Sequence, residues 1–361
     1  MTEKILAFLT LFLVFVTVLP LWRHEAWWVR GLDFPRLQFM VTALFILLAD
    51  ALLLDLSHYG SWLMAGLAFG CFSFHLGWIL PYTRLFPVEV KASRIQNEEN
   101  RIRIMTSNVL TPNRNYKGLL DLVAKYQPDV LVTLETDLWW QEKLSVLETD
   151  YRYTIKCPMD NLYGMHVFSK LPLEDMAIQF LVEPDVPSVH ALVMLRSNIK
   201  VRIHFLHPAP PSPTENSASS ERDAELLVIA KSVSDEHIPI IVAGDLNDVA
   251  WSETTRLFRK ISGLLDPRIG RGMFNTFHAA YWFARWPLDH LFHSEHFTLT
   301  HIERLPYYGS DHFPMLVELM YDLPNGADQE GLEADEEDHE WAESKMEAHA
   351  VEEDDVHEPG K

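Results

Sequence analysis

Several polar residues stand directly after or before short apolar runs that are typical of β-strands. Asn108 follows the run 102–107, Glu135 follows 130–134 and His207 follows 201–206. Because loop positions at the end of a rigid sheet often carry catalytic side chains, these residues are candidates for one common site. The other residues of this kind are Asp245 and Asn247 after the run 239–244, Asp289 before 290–292, and Asp311 and His312 before 313–319.

The acidic and amide residues of this set suit the hydrolysis of a phosphate ester. A hard divalent cation prefers oxygen ligands, which Glu135, Asn108 and Asp311 can supply. In-line attack on phosphorus also needs a water molecule held by an acceptor, and the carboxylate of Asp245 can hold it. The sequence therefore contains both a possible cation site and a possible base.

The remaining residues can donate to the charge that develops on the phosphoryl group. Asn247 and His207 can donate to a non-bridging oxygen, and a pair such as Asp289–His312 fixes the imidazole tautomer and raises its basicity. Taken singly, each residue has a simpler interpretation. An Asp after a strand is commonly a turn or N-cap residue, and Ser-Asp-His is a frequent accidental string.

Strands and helices alternate from Arg101 onwards, and these elements must position the polar residues. Glu221–Ser234 and Leu119–Tyr126 have helical spacing, whereas His207–Ser220 is rich in Pro and Ser and predicts a loop. This mixture predicts an α/β domain with packed sheets over residues 101–321. The predicted strands are 102–108, 130–134, 165–169, 191–195, 201–206, 239–243, 290–292 and 313–319.

Three apolar runs precede this domain, namely Ile5–Leu19, Leu37–Leu54 and Ser61–Leu80. The second and third each approach the ~20 residues needed to cross a bilayer core, and the first is shorter; together they predict a membrane domain of three transmembrane helices over residues 1–85. The first run is also similar to a signal peptide, but no small-x-small cleavage pattern precedes Pro20. A polar linker is predicted at 86–100, and the lipid bilayer is the expected partner.

The positions of the flanking cations predict the orientation of these helices. Arg23, Arg30 and Arg36 lie in the first loop, and Arg84, Lys91 and Arg94 follow the third run. With three spans both groups share one side, and the positive-inside rule places that side in the cytoplasm. Loss of one span would instead make the catalytic domain periplasmic.

The net charge of -21 is unevenly distributed along the chain. Residues 322–361 contain 16 of the 51 acidic residues and 2 of the 30 basic ones, a net of -14 that leaves -7 for the rest. This composition predicts a disordered acidic tail. The body lacks the basic stripe of a general nucleic-acid binder, although a bound metal could supply positive charge to a nuclease locally.

Six short segments stand in order between residues 101 and 320. They are 105–109 (MTSNV), 128–135 (PDVLVTLE), 207–208 (HP), 241–247 (IVAGDLN), 276–277 (TF) with 288–292 (LDHLF), and 309–314 (GSDHFP). Together they resemble the endonuclease/exonuclease/phosphatase superfamily. The resemblance implies a four-layer DNase I-like α/β sandwich with its site at one edge. It extends to a bacterial branch in which such a domain follows a few membrane helices, which implies the bacterial inner membrane.

The resemblance also implies a role for each residue and a Mg²⁺ or Mn²⁺ cofactor. Glu135 would be the principal metal ligand, with Asn108 nearby and Asp311 supporting the metal or the substrate phosphate. The remaining implied roles are His312 as the catalytic histidine paired with Asp289, Asp245 as the residue that orients or deprotonates water, Asn247 as a transition-state donor, and His207 as a phosphate contact.

Two positions depart from the abasic-site endonucleases of this superfamily. Leu110 stands where those enzymes carry an acidic residue, and His207 stands where they carry Tyr. The chain is therefore expected to be a membrane-anchored, metal-dependent phosphoesterase acting on a phosphodiester or phosphomonoester, which could be a lipid headgroup, a nucleotide or nucleic acid. A membrane-bound nuclease is the alternative. A non-catalytic membrane scaffold is disfavoured because no motif residue is missing, and no stable protein partner is expected.

Overall fold

A computed structural model of the chain describes residues 1–55, 57–234 and 237–361. The N-terminal region contains α1 (Thr2–Val18), a short α2 (Trp27–Arg30), α3 (Arg36–Leu53) and α4 (Tyr59–Ile79). The three long helices pack through small and aliphatic side chains such as Leu13, Ala43 and Ala68, while much of their apolar surface faces outward. With flanking turns they form three segments of 21, 18 and 24 residues that are long and apolar enough to cross a membrane.

Two mixed β-sheets follow these three helices. The first has the order β10-β11-β1-β2-β4-β3 and the second the order β5-β6-β7-β8-β9. The strands of the first sheet are β1 (Arg101–Asn108), β2 (Val130–Leu134), β3 (Tyr153–Cys157), β4 (Met165–Ser169), β10 (Phe297–Arg304) and β11 (Met315–Tyr321). Those of the second are β5 (Leu173–Gln179), β6 (Ser188–Met194), β7 (Lys200–Leu206), β8 (Ile240–Asp245) and β9 (Asp289–His293).

Each sheet is covered on both faces, which explains the continuous apolar runs of its central strands. Side chains alternate between the two faces of a strand. Ile104 of β1 therefore lies in the core between the sheets, whereas Met105 faces the outer helices. The outer layers are α5 (Tyr116–Tyr126) and α6 (Leu138–Leu144) on the first sheet, and α7 (Ser220–Ser232) and α8 (Glu253–Ser262) on the second. The four-layer α/β sandwich is thus confirmed.

The prediction of a disordered tail at 322–361 was wrong. This segment contains α9 (Leu323–Gly326) and α10 (Glu336–Glu347), and α10 begins with a capping box between Asp335 and Asp338. Its few apolar side chains, among them Met346, lie at helical spacing and are buried against α7 and α8. Composition predicted disorder because most positions are acidic, but a single apolar stripe is sufficient for a helix to dock.

A buried ion pair ties α10 to the rest of the molecule. Lys345 Nζ lies 2.8 Å from Asp223 Oδ2 on α7 and 2.5 Å from Glu25 Oε1 in the loop after α1. Burial alone would raise the pKa of Asp223, but Arg222 and Lys345 outweigh burial and hold this pKa below its usual range. Both side chains of the Lys345–Asp223 pair are therefore charged and almost inaccessible to water.

The first prediction concerns this pair. Lys345→Ala should lower the free energy of unfolding by about 2–4 kcal/mol, because it leaves the buried carboxylate of Asp223 with Arg222 alone. Chemical denaturation of the full chain in detergent measures the change, with the exposed Lys117→Ala as the control. Equal stability of the two variants would contradict a docked α10.

A second buried carboxyl group, on α7, predicts a pH dependence of stability. Burial, with a smaller contribution from Glu183, raises the pKa of Glu225 to about 8, and its Oε1 atom has no hydrogen-bond partner among the described residues. A carboxyl group whose pKa is raised by folding stabilises the fold fully at low pH, and this stabilisation is lost as the pH rises through the folded pKa.

Glu225→Gln removes this titration. The variant should unfold like the parent near about pH 4 and be more stable by on the order of 2 kcal/mol near about pH 9, where the parent must bury a charge. Thermal unfolding across this range measures the difference. The exposed Glu340→Gln is the control, and a constant difference between parent and Glu225→Gln at all pH values would refute the assignment.

Candidate active site

Two pairs of parallel strands deliver the polar residues to one edge of the sandwich. β1 runs parallel to β2 in one sheet, and β7 runs parallel to β8 in the other. The carboxyl ends of parallel strands meet at the same edge, so Asn108 lies beside Glu135, and His207 lies beside Asp245. Asp289 begins the antiparallel β9 at the same level, opposite Asp245.

The two sheets are joined at this edge by the amide of Asn108. Its Nδ2 donates to Glu135 Oε1 at 2.7 Å and to Asp245 Oδ2 at 3.2 Å, whereas its Oδ1 accepts from the backbone N–H of Leu110 at 3.0 Å. Asn108 is held in turn by Ser310, whose Oγ donates to the Asn108 carbonyl at 2.8 Å. In this arrangement Asn108 positions two carboxylates and presents its amide nitrogen, not its oxygen, to the site.

The backbone of the loops that carry these residues adopts unusual conformations. Glu135 and Asn247 both have left-handed backbones, with φ of 60° and 50°. Such conformations are uncommon outside glycine and cluster at functional sites. Gly244, with φ of 147°, has no room for a side chain, because a Cβ atom would lie 1.9 Å from the carbonyl oxygen of Leu206. The close approach of β8 to β7 that places Asp245 therefore requires glycine at 244.

An Asp–His–Asp chain forms the buried centre of the site. His312 Nδ1 lies 2.7 Å from Asp289 Oδ2, and His312 Nε2 lies 3.4 Å from Asp245 Oδ2. Burial alone would lower the pKa of His312, but Asp245 and Asp289 outweigh it and raise the pKa to about 10. The imidazole therefore carries a proton on both nitrogens at neutral pH. Burial raises the pKa of Asp245, an effect that the adjacent His312 opposes.

Glu135 lies on the other side of Asn108. The pKa of Glu135 is raised to about 7, chiefly by burial; the hydrogen bond from Asn108 and the charge of His312 lower this pKa, whereas Asp311 and Asp245 raise it. Two carboxylates and one cation are thus the charged groups that most affect Glu135. The excess of negative charge and the carboxylate oxygens suit a bound cation.

A second arrangement for a cation lies in the Asp–His–Asp chain. One ligand atom from each of Asp245, Asp289 and His312 lies within 4.8 Å of the others. Both ring nitrogens of His312 already face these two carboxylates, however, so a cation here would have to replace the imidazolium charge. Among the residues that the structure describes, no cationic side chain forms an ion pair with Glu135 or Asp311, so the donor set around Glu135 fits a metal better.

His207 and Asn247 complete the polar side of the site. His207 Nε2 lies 3.9 Å from Asp245 Oδ2, and burial lowers the pKa of His207 to about 4, so this ring is neutral. Asn247 donates from Nδ2 to the carbonyl of Pro208 at 2.9 Å, and its backbone N–H donates to Asp245 Oδ1 at 3.1 Å. The loops after β7 and β8 therefore brace each other.

These residues surround a cleft of about 350 Å³. Six of the eight predicted residues line it, namely Glu135, His207, Asp245, Asn247, Asp311 and His312, while Asn108 and Asp289 support them from behind. The cleft also has an apolar wall that sequence reasoning did not assign to the site. It includes Phe34, Leu110, Leu162, Tyr163 and Phe277. Phe277, within the Thr276-Phe277 segment, and Leu110, two positions after Asn108, had a sequence signal. Phe34 lies in the loop that precedes α3.

Comparison with known proteins agrees with this geometry. A model of the "Endonuclease/Exonuclease/phosphatase family" matches residues 105–312. The catalytic domain of human Nocturnin with bound sulfate is 18% identical and has a TM-score of 0.51, covering 62% of this chain and 96% of its own. D. rerio TDP2 complexed with a single-strand DNA product is 17% identical and has a TM-score of 0.50, covering 61% of this chain and 98% of its own.

Among curated proteins, none matches the chain. The solved structures are below 25% identity and show the fold alone. The family match, by contrast, extends over more than half of the sequence and ends at His312, so it contains all eight predicted residues. Its members are hydrolases acting on phosphate esters. The chain belongs to the endonuclease/exonuclease/phosphatase family.

Proposed function

We propose that the chain is a membrane-anchored, divalent-cation-dependent phosphoesterase that hydrolyses a phosphodiester or phosphomonoester by in-line attack of water. The observation that carries the proposal is the convergence of the Asp289–His312–Asp245 chain with the buried carboxylate of Glu135 in one cleft. The stability of the fold does not require acidic, imidazole and amide groups from five strand ends to meet in one cleft, so their convergence supports a catalytic role.

The cation of this proposal is Mg²⁺ or Mn²⁺, held by Glu135 and Asp311. When bound, it would neutralise charge on phosphoryl oxygens and act as a Lewis acid. Asp245 orients the attacking water and accepts its proton, since its carboxylate faces the cleft and is held by the N–H of Asn247. A carboxylate in this position acts as a general base.

Three other residues act on the charge that develops in the transition state. The protonated His312 supplies positive charge and an Nε2–H donor, and Asp289 fixes its orientation through Nδ1. Asn247 and the neutral His207 line the cleft and donate to non-bridging oxygens. Preorganised donors of this kind contribute most in a site that excludes water.

Backbone hydrogen bonds between the first loop and the catalytic domain support the proposed anchoring of this domain to the membrane. The backbone N–H of Trp27 donates to the carbonyl of Ser217 at 3.0 Å, and that of Ser219 donates to Glu25 at 2.8 Å. The first loop and the catalytic domain therefore share one side of the three apolar helices. We assign that side to the cytoplasm of a bacterial cell from the cations Arg23, Arg30 and Arg36.

Catalytic substitutions test the assigned roles. His312→Ala and Asp245→Asn should each lower the turnover rate at least ~10²-fold, within the range of acid–base groups. Glu135→Gln should instead raise the Mn²⁺ concentration needed for half-maximal activity, because one ligand charge is lost. The exposed His301, which pairs with Glu303 outside the cleft, provides the control variant His301→Ala. Full metal-dependent activity of His312→Ala would remove the assignment.

A substrate panel with and without chelator tests the reaction class. Purified full-length protein should hydrolyse at least one of sphingomyelin, a phosphoinositide, a generic phosphodiester and single-stranded DNA. Activity should disappear with EDTA and return with Mg²⁺ or Mn²⁺. DNA as the preferred substrate would favour the nuclease alternative, for which the likeness to TDP2 is the supporting observation. No hydrolysis of any substrate with either metal would contradict the proposed function.

A further inference from the structure

A short aromatic loop projects from the catalytic domain between Phe277 and Trp286. Its tip consists of Tyr281, Trp282 and Phe283, whose exposed fractions are 51%, 81% and 61%. The ring of Phe283 lies near both others, with its centroid 6.0 Å from that of Tyr281 and 5.8 Å from that of Trp282. Contiguous large apolar side chains facing water mark an interaction surface.

The loop lies beside the start of a helix that is long and apolar enough to span a membrane. Gln38, in the first turn of α3, donates from Nε2 to the carbonyl of Phe283 at 3.1 Å. The segment with this property begins at Arg36. Because a span begins where the bilayer interface lies, the loop tip lies at the depth that Trp and Tyr side chains prefer.

The base of the same loop forms a wall of the catalytic cleft. Phe277 lines the cleft, and its ring centroid lies 4.9 Å from that of His312. Trp286 pairs with Phe277 through the backbone, and its ring lies edge-on to Phe34 at 5.7 Å. Phe34 lines the cleft from the membrane side, two residues before α3 begins. A continuous row of rings thus joins the catalytic histidine to the membrane end of the domain.

The loop is braced at its base, so its tip is presented on a defined support. Arg285 Nη2 donates to the carbonyl of Ala279 at 2.8 Å, which closes the loop. The guanidinium of Arg285 also lies 5.0 Å from the ring centre of Phe313. The three residues at the tip are all aromatic and uncharged, which suits an apolar or interfacial partner.

We infer that the aromatic tip, Tyr281–Phe283, inserts into the interface of the bilayer that holds the three helices, and that the cleft receives a phosphate ester carried by an amphiphile of that bilayer. The inference rests on the proposed function and names its substrate class. The continuity of the tip with α3 identifies the bilayer as the occupant of this surface. The apolar wall at Phe34 and Phe277 would then contact the part of the amphiphile nearest its phosphate.

The experiment separates bilayer insertion from chemistry by using the same headgroup with two chain lengths. Full-length protein in phosphatidylcholine vesicles is assayed on dioleoyl phosphatidate and dioleoyl phosphatidylglycerol, on their dibutanoyl counterparts, and on bis(p-nitrophenyl) phosphate. The variant is Trp282→Ala/Phe283→Ala. The control is Val146→Ala/Met176→Ala, which removes two exposed apolar side chains from elsewhere in the domain.

The loop variant should lose at least ~10-fold in activity on the dioleoyl lipid that is hydrolysed, because interfacial aromatic side chains contribute to membrane binding. It should keep its activity on the soluble substrates, and the control variant should keep both. A polarity-sensitive fluorophore on Tyr281→Cys should also emit at shorter wavelength in vesicles than the same fluorophore on Met176→Cys, an exposed position away from the loop.

Three outcomes would overturn the inference. Equal losses on soluble and bilayer substrates would make the loop a structural element of the cleft. Unchanged activity on the dioleoyl lipid would show that the tip is not used. Hydrolysis of bis(p-nitrophenyl) phosphate without hydrolysis of any lipid would remove the substrate class and leave the proposed function intact, whereas failure on every substrate with Mg²⁺ and Mn²⁺ would count against the proposed function itself.

Discussion

The burial of several carboxylates around one cleft is the constraint on which the site depends. Asp245 and Asp289 are almost completely removed from water, and a buried charge is tolerated only when it is paired and hydrogen-bonded. His312 pairs with both carboxylates at once, which raises the pKa of His312, and its hydrogen bond to Asp289 fixes the ring. Asn108 then ties Glu135 to the same group. This excess of negative charge makes a divalent cation the natural complement of the cleft.

Buried carboxylates outside the site are paired in the same way, and these ion pairs form a chain that begins at the active-site loops. Arg222 donates to the carbonyl of Asn247 at 2.9 Å and lies 2.7 Å from Asp223, which holds Lys345 of α10. The first loop joins from the side of the three apolar helices, where the indole N–H of Trp251 donates to the carbonyl of Asp33 at 3.0 Å. The C-terminal helix, the first loop and the active-site loops are therefore parts of one packed unit, in which breaking one pair leaves a charge without its partner.

The interior of the fold was predictable because its strands are covered on both faces. Runs such as Val130–Leu134 are continuously apolar and predicted correctly. The three strands absent from the prediction, β3, β5 and β10, are all at sheet edges, where one side lacks a neighbour and solvent-facing positions are polar. These three strands lack the apolar signal, whereas the fourth edge strand, β9, is buried throughout and was predicted. The helix Glu336–Glu347 was not predicted for a related reason: its buried apolar residues form a narrow stripe within an acidic segment.

The sequence by itself determined which chemical groups are present, their order along the chain, and the three apolar segments that precede them. The tertiary structure decided how these groups pair: His312 lies between Asp289 and Asp245, and Asn108 turns its amide nitrogen toward the carboxylates. It also placed Phe34, from a loop between two of the N-terminal apolar helices, in the cleft wall. Such contacts join residues far apart in the chain, so they depend on strand register and on layer packing, which no local pattern of residues contains.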